Sequence, residues 1–386
     1  MAVWIEGKHR PLDDALRCPT CLESFPVAEV ASSDAGQPYF RPPEGNDQPR
    51  EDPLCPLCPH PTRLPPQMLR SDTVDVLITL IGPTHVGKTR FLRWLKWMLV
   101  DQQALLDSHG FRAGLWTPQR AAWMNASPAE DLEAQEPTSM AITWVFPLER
   151  PGERRKILLM VRDTRGEDAS APRRASTYAT GMIIVAGKDV VCPPVDAPDP
   201  LDEEARSALE AQLPRWTDDE RGGVRDHLGR TVVLLLTQAD LYDDDVIADA
   251  VRNLAPRDLG SPDLGRHVAE DSRQLAGALQ RRGSAIFGAV VEELHGDDAA
   301  RLYVSGVGGL AAIDGNPPQP IDRFRVLDPV IAVLGALGLL ARPAPAAPLT
   351  DEPGQEPHDT GTGTGTWLFL LAAVALAAGL AWWVVR

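Results

Sequence analysis

Along the chain, apolar residues fall into short continuous runs separated by polar or helix-periodic segments. VDVLITLIG (74–82) is one such run. A turn follows it, then TRFLRWLKWMLVDQ (89–102), whose apolar positions recur at helical spacing. Further strand-like runs occupy 140–149 (MAITWVFPLE), 155–163 (RKILLMVRD), 180–187 (TGMIIVAG), 231–240 (TVVLLLTQAD) and 301–306 (RLYVSG), with helices expected at 201–213 and 264–295. Strands that are apolar on both sides and alternate with helices predict an α/β fold: a mostly parallel sheet with helices on both faces. VIAVLGALGLLA (330–341) is too short to span a bilayer and is expected to pack as the last helix of that domain.

The two ends have a different texture. Residues 1–70 carry 13 of the 36 prolines and four of the five cysteines, so this stretch is not built of long helices and needs more than a large core to fold. Pro, Gly, Thr and acids dominate 342–366, a linker composition. Trp367 to Val385 then gives 19 residues without charge, with tryptophans at both ends. At about 1.5 Å rise per residue this approaches the ~30 Å hydrocarbon thickness, so a single transmembrane helix is expected. The predicted organisation is a small cysteine module (1–70), an α/β domain (71–341), a linker (342–366) and a membrane span (367–385).

Charge narrows the range of partners. The 386 residues carry a net charge of −16, which argues against general nucleic-acid binding and against an anionic lipid-binding surface. Residues 199–250 hold 14 Asp and Glu against 5 Arg, read as a solvated flank or, less favoured, a docking face for a basic partner. MAVWIEGKHRPLDDALRC has neither the apolar core nor the cleavage site of a secretory leader. The only cation beside the span, Arg386, lies on its far side, and the positive-inside rule alone would favour the opposite orientation. A nucleotide motif that needs cytoplasmic GTP or ATP outweighs it, so the N-terminal bulk is expected in the cytoplasm, held to the membrane by the C-terminal helix.

That motif is Gly82-Pro83-Thr84-His85-Val86-Gly87-Lys88-Thr89, a full G-x-x-x-x-G-K-[ST] between a buried strand and an amphipathic helix. Its glycines let backbone N–H groups curl around phosphate oxygens, and the helix N-terminus adds its positive dipole end. Gly82, Thr84, His85, Val86, Gly87, Lys88, Thr89 and Arg90 are therefore the candidate phosphate-binding residues. Lys88 would reach the β- and γ-phosphates and the Thr89 hydroxyl would ligate Mg²⁺. Trp94 and Trp97 in the following helix are read as core packing rather than base stacking.

With these motifs in their order, residues 74–340 resemble the translation-factor-related (TRAFAC) class of P-loop GTPases. Asp163-Thr164-Arg165-Gly166 matches the family's D-x-x-G, and the resemblance implies that Asp163 holds Mg²⁺ through water and the Gly166 amide contacts the γ-phosphate. Thr237-Gln238-Ala239-Asp240 looks like the base-reading N/T-K-x-D motif, with Asp240 accepting from guanine and Gln238 in place of the usual Lys. Ser305-Gly306, read as lying after the strand RLYV, resembles the loop that closes over the base. The first-switch Thr is assigned to Thr138, with Thr117 behind it. Glu167 stands where relatives carry a water-orienting Gln or His, which implies slow or partner-dependent hydrolysis. Arg165 is either a charge-neutralising residue or a plain exposed arginine. The 75 residues from Lys88 to Asp163 exceed a minimal GTPase and fit the bacterial double-GTPase group of conflict-system GTPases. The resemblance implies a GTP·Mg²⁺ switch acting through protein effectors or an activating partner. An ATPase and a non-catalytic nucleotide-binding scaffold are the alternatives.

Cys18-Pro19-Thr20-Cys21 and Cys55-Pro56-Leu57-Cys58 form two C-P-x-C knuckles. Two such turns aiming four thiolates at one point predict a structural zinc ribbon, with a redox pair as the alternative. His60 is read as bystander surface and Cys192 as a small apolar residue.

Overall fold

The computed structural model describes residues 10–32, 53–59, 62–82, 86–116, 142–163, 179–187, 191, 231–237, 245–254, 261, 263–293, 302–307 and 323–340. The chain divides into two compact units, 1–341 and 342–386, and every described residue belongs to the first.

The N-terminal module contains two short antiparallel pairs. β1 (Ala15–Arg17) pairs with β2 (Ser24–Pro26), and β3 (Ala31–Ser32) pairs with β4 (Pro53–Leu54). The larger sheet contains β5 (Thr73–Ile81), β6 (Arg112–Ala113), β7 (Ile142–Glu149), β8 (Lys156–Asp163), β9 (Gly181–Ala186), β10 (Thr231–Thr237) and β11 (Leu302–Val307). Its seven strands run in the order β11-β10-β9-β5-β8-β7-β6. From β11 to β8 the pairing is parallel, and β7 and β6 join antiparallel at one edge. The strands β8, β9 and β10 are buried almost throughout, as their unbroken apolar runs require.

The helices are α1 (Lys88–Lys96), α2 (Ala104–His109), α3 (Asp245–Arg252), α4 (Leu264–Arg282), α5 (Ala285–Glu293) and α6 (Asp328–Ala336). The segment expected as one helix over 89–102 is α-helical only to Lys96. A π turn at Trp97–Asp101 completes it, closed by the Gln102 amide donating to the Trp97 carbonyl at 2.8 Å. Likewise 264–295 is not continuous: Gly283, at φ 69°, ends α4, and α5 begins two residues later. The apolar 330–341 segment supplies α6, whose residues Val330 to Leu334 are buried. The helix expected at 201–213 lies outside the described residues.

Strand alternation divides the core. Val76, Ile78 and Leu80 of β5 point with Trp144, Phe146, Leu159 and Val161 toward α1 and α6. On the opposite face two different covers meet the sheet. Over β9, β10 and β11 lies an apolar layer from α3, α4 and α5. Over β5, β7 and β8 lies the cysteine module, where Leu16, Phe25, Val27, Leu64 and Met68 pack against Leu77, Val145, Leu158 and Met160. This half of the sheet is therefore covered by a cysteine-bearing module where an α/β fold usually places a helix.

Candidate functional site

The central strand β5 is flanked by β8 on one side and β9 on the other. The chain thus reverses its winding direction at β5, and the crevice beyond the carboxyl ends of these strands is where open α/β sheets take ligands. Gly82, Val86 and Gly87 lie there. Gly82 has φ 146°, and a Cβ on it would lie 2.3 Å from the Val185 carbonyl oxygen. No other residue fits that approach to β9. Gly87, at φ 89°, is the left-handed residue that turns the chain into α1.

Lys88 Nζ donates to the Gly82 carbonyl at 2.6 Å, turning the ammonium back toward the end of β5. Thr89 Oγ1 donates to Asp163 Oδ2 at 3.3 Å, so the first turn of α1 meets the last residue of β8. Asp163 lies opposite Leu80 in register, which is why residues 74 apart in sequence converge. Burial pushes the Asp163 carboxyl up to about 6, with Lys88 and the Thr89 hydroxyl pulling it back. Burial pushes Lys88 down, partly offset by Asp163. An ammonium, a hydroxyl and a carboxylate around a helix N-terminus are groups that could hold a phosphate chain and its divalent cation.

Thr237, the first residue of the Thr237-Gln238-Ala239-Asp240 motif, ends β10. Its side chain is buried, and Oγ1 contacts the Val86 carbonyl at 2.7 Å and the Ala186 carbonyl at 3.2 Å. The hydroxyl thus ties the end of β10 to the phosphate loop. Ser305 and Gly306 lie within β11, paired with Leu235 and Leu236, rather than in a loop after it. The ladder continues to Val307 because the apolar pattern does, and the buried Ser305 hydroxyl faces Asp328 Oδ2 at 3.5 Å. Arg90 is half-buried in the first turn of α1. Trp94 is buried and meets Trp97 edge-to-face at 5.3 Å between ring centroids. Thr84, His85, Thr117, Thr138, Arg165, Gly166, Glu167, Gln238 and Asp240 lie outside the described residues, as do His60 and Cys192.

The second constellation is the cysteine cluster. The sulfurs of Cys18, Cys21, Cys55 and Cys58 all lie within 4.8 Å of one another. Cys18 and Cys58 are 3.7 Å apart and Cys21 and Cys55 3.8 Å. A tetrahedral zinc with Zn–S bonds of about 2.3 Å separates its sulfurs by about 3.8 Å, so the donor set fits that ion. Hydrogen bonding to Cys55 and burial push the Cys18 thiol up, and burial chiefly pushes Cys21 to about 12. Thiols so crowded resist ionising together unless a cation sits among them. Backbone geometry supports the first knuckle: the Thr20 amide donates to Cys18 Sγ at 3.3 Å, and Leu22, at φ 64°, turns the chain back.

Sequence reasoning missed the residues that join these two sites. Thr143 Oγ1 donates to the Pro19 carbonyl at 2.6 Å, and Arg162 Nη1 donates to the Pro19 and Thr20 carbonyls at 2.7 Å each. A charged residue inside the apolar run KILLMVRD was the available signal.

This arrangement is that of a P-loop NTPase-like α/β protein. No family model and no curated protein sequence matches the chain. Among solved structures, it is similar to the GTPase-like domain of S. cerevisiae Ski7 bound to GTP, at TM-score 0.32 and 12% identity. The match covers 61% of this chain and 43% of that one, so it spans less than half the length of that relative. So slight a likeness adds nothing to the assignment, which stands on the convergence of Lys88, Thr89 and Asp163 at the carboxyl end of β5.

Proposed function

We propose that the protein is a GTP-binding switch that holds GTP·Mg²⁺ at Gly82–Thr89 and Asp163 and hydrolyses it slowly or with a partner's help. The observation that carries this reading is the convergence of Lys88, Thr89 and Asp163 at the carboxyl end of the central strand. Guanine preference rests on Asp240, and Gln238 in place of lysine favours ATP as the second reading. The four cysteines would hold a structural zinc. Membrane attachment rests on the sequence of 367–385 alone. Among the described residues no helix is long and apolar enough to cross a membrane. Recruitment of protein partners at the membrane, in a bacterial conflict system, is the role that fits this combination.

Nucleotide binding and turnover by the purified chain test the reading directly. GTP should bind more tightly than ATP, and Lys88→Ala should abolish binding while zinc content stays at one per chain. Tighter ATP binding would overturn the guanine assignment. GTP binding without turnover, even with partners added, would leave a scaffold. A chain ending at Gly365 should leave the membrane fraction; if it stayed, the anchor would lie elsewhere.

A further inference from the structure

Strand alternation sends neighbouring residues of β8 to opposite faces. Asp163 meets Thr89 on the α1 side, and Arg162, one peptide bond away, enters the cysteine module. Its register partner across the antiparallel pair is Thr143, and both side chains end on the same Pro19 carbonyl. Pro19 and Thr20 are the residues between the metal-ligating Cys18 and Cys21. The knuckle therefore grips the last turn of pleat in β8 and the second residue of β7 at once.

Arg162 is an unusual residue to bury here. It is 7% exposed, its Nε is buried without a hydrogen-bond partner, and among the described residues no carboxylate pairs with it. A buried guanidinium needs a counter-charge. A divalent ion on four thiolates retains net negative charge, and the Cys18–Cys21 knuckle is where Arg162 ends. With the metal in place, the knuckle's carbonyls and the cluster's charge both hold the arginine. Without it, the knuckle loses the bond that fixes its shape and Arg162 loses its counter-charge.

We propose that Arg162, assisted by Thr143, is a positioning residue that ties the metal-loaded Cys18–Cys21 knuckle to Asp163, so that metal occupancy at the four cysteines sets the affinity of the nucleotide site for Mg²⁺. This rests on the nucleotide reading above. It assigns the cysteine module a role in the switch itself, beyond holding its own fold. Because coupling between two binding sites is reciprocal, Mg²⁺·nucleotide must tighten the hold on zinc by the same factor.

The test uses the full chain, loaded with zinc, and a fluorescent mant-GTP titrated with and without Mg²⁺. Arg162→Met should keep one zinc per chain and bind mant-GTP without Mg²⁺ as the wild type does. Its Mg²⁺-dependent gain in affinity should fall about ten-fold, the usual size of an outer-layer effect on a metal site. Thr143→Val should lose part of that gain and Thr143→Ser, which keeps the hydroxyl, should restore it. Should Arg162→Met fail to fold, equilibrium competition for zinc by a chromophoric chelator on the wild type decides the matter. The chelator concentration that strips half the zinc should rise when Mg²⁺ and mant-GTP are present. Wild-type binding with an unchanged Mg²⁺ gain in the variants and an unchanged zinc competition overturns the coupling and leaves the nucleotide site standing. No mant-GTP binding by the wild type overturns the nucleotide reading, and the coupling with it.

Discussion

At the scale of single residues, the candidate site is governed by where polar atoms are spent. The Thr237 hydroxyl is committed to two backbone carbonyls of neighbouring segments, one of them in the phosphate loop. Thr237→Val keeps the shape and removes the hydroxyl, leaving the Val86 carbonyl buried without this donor. A loss of about 1–3 kcal/mol in denaturant stability is expected, with weakened GTP binding in equilibrium titration. Asp163 sets a pH dependence. Its carboxyl is raised from 3.8 to about 6, so the folded state holds the proton to higher pH than the unfolded chain does. In the nucleotide-free protein this contribution favours folding below pH about 4 and is lost as pH rises through about 6. Mg²⁺ needs the ionised form, so the Mg²⁺ concentration required for half-maximal nucleotide binding should rise as pH falls from 7.5 to 5.5. A flat Mg²⁺ requirement across that range would show that Asp163 is not a partner of the ion.

At the scale of elements, the sequence was most legible where one strand carries one continuous apolar run. VDVLITLIG, RKILLMVRD and TGMIIVAG become β5, β8 and β9 within a residue or two. Less legible were elements whose boundaries depend on backbone chemistry or distant partners. The stop at Gly283 is a left-handed residue inside a helical pattern, and α3 follows an acidic run that hides its apolar face. Ser305 and Gly306 break the apolar texture of β11, yet ladder pairing with β10 carries through them. The phosphate loop and both cysteine knuckles could be read because their spacing is local. Arg162 and Thr143 could not, because their meaning lies in a carbonyl 143 and 124 residues away. A third long-range tie is Arg10, which bonds Asp75 at 2.7 Å and the Thr73 carbonyl at 3.1 Å. Burial pushes Asp75 up to about 6, and Arg10 pulls it back. Arg10→Ala should therefore cost about 2 kcal/mol in denaturant stability, through loosening of the module from β5.

At the scale of the whole molecule, the sheet has unequal covers. Helices α3, α4 and α5 bury one half of a face, and the other half depends on a module with only short strands and a cluster of thiols. So small a cover has little independent stability, and a zinc on its four cysteines would supply what its core lacks. Removing zinc with a selective chelator should lower the melting temperature of the full chain and expose Leu77, Val145, Leu158 and Met160 to an apolar dye. Retention of both properties after complete zinc loss would show that packing alone suffices. The net charge of −16 is concentrated in 199–250, of which 231–237 and 245–250 fall among the described residues. It therefore lies apart in sequence from the knuckles and from the phosphate loop.

The position of the cysteine module has a consequence for birth order. Residues 10–69 leave the ribosome before the surface they are built to cover, which belongs to β5, β7 and β8, the last of which ends at Asp163. At about 5–20 residues per second, the module waits several seconds for its seat. During that interval a bound ion is what can keep the two knuckles facing each other across the residues between them. With zinc as the proposed occupant of the four cysteines, metal supply in the growing cell would act on the yield of this protein before it could act on the finished molecule.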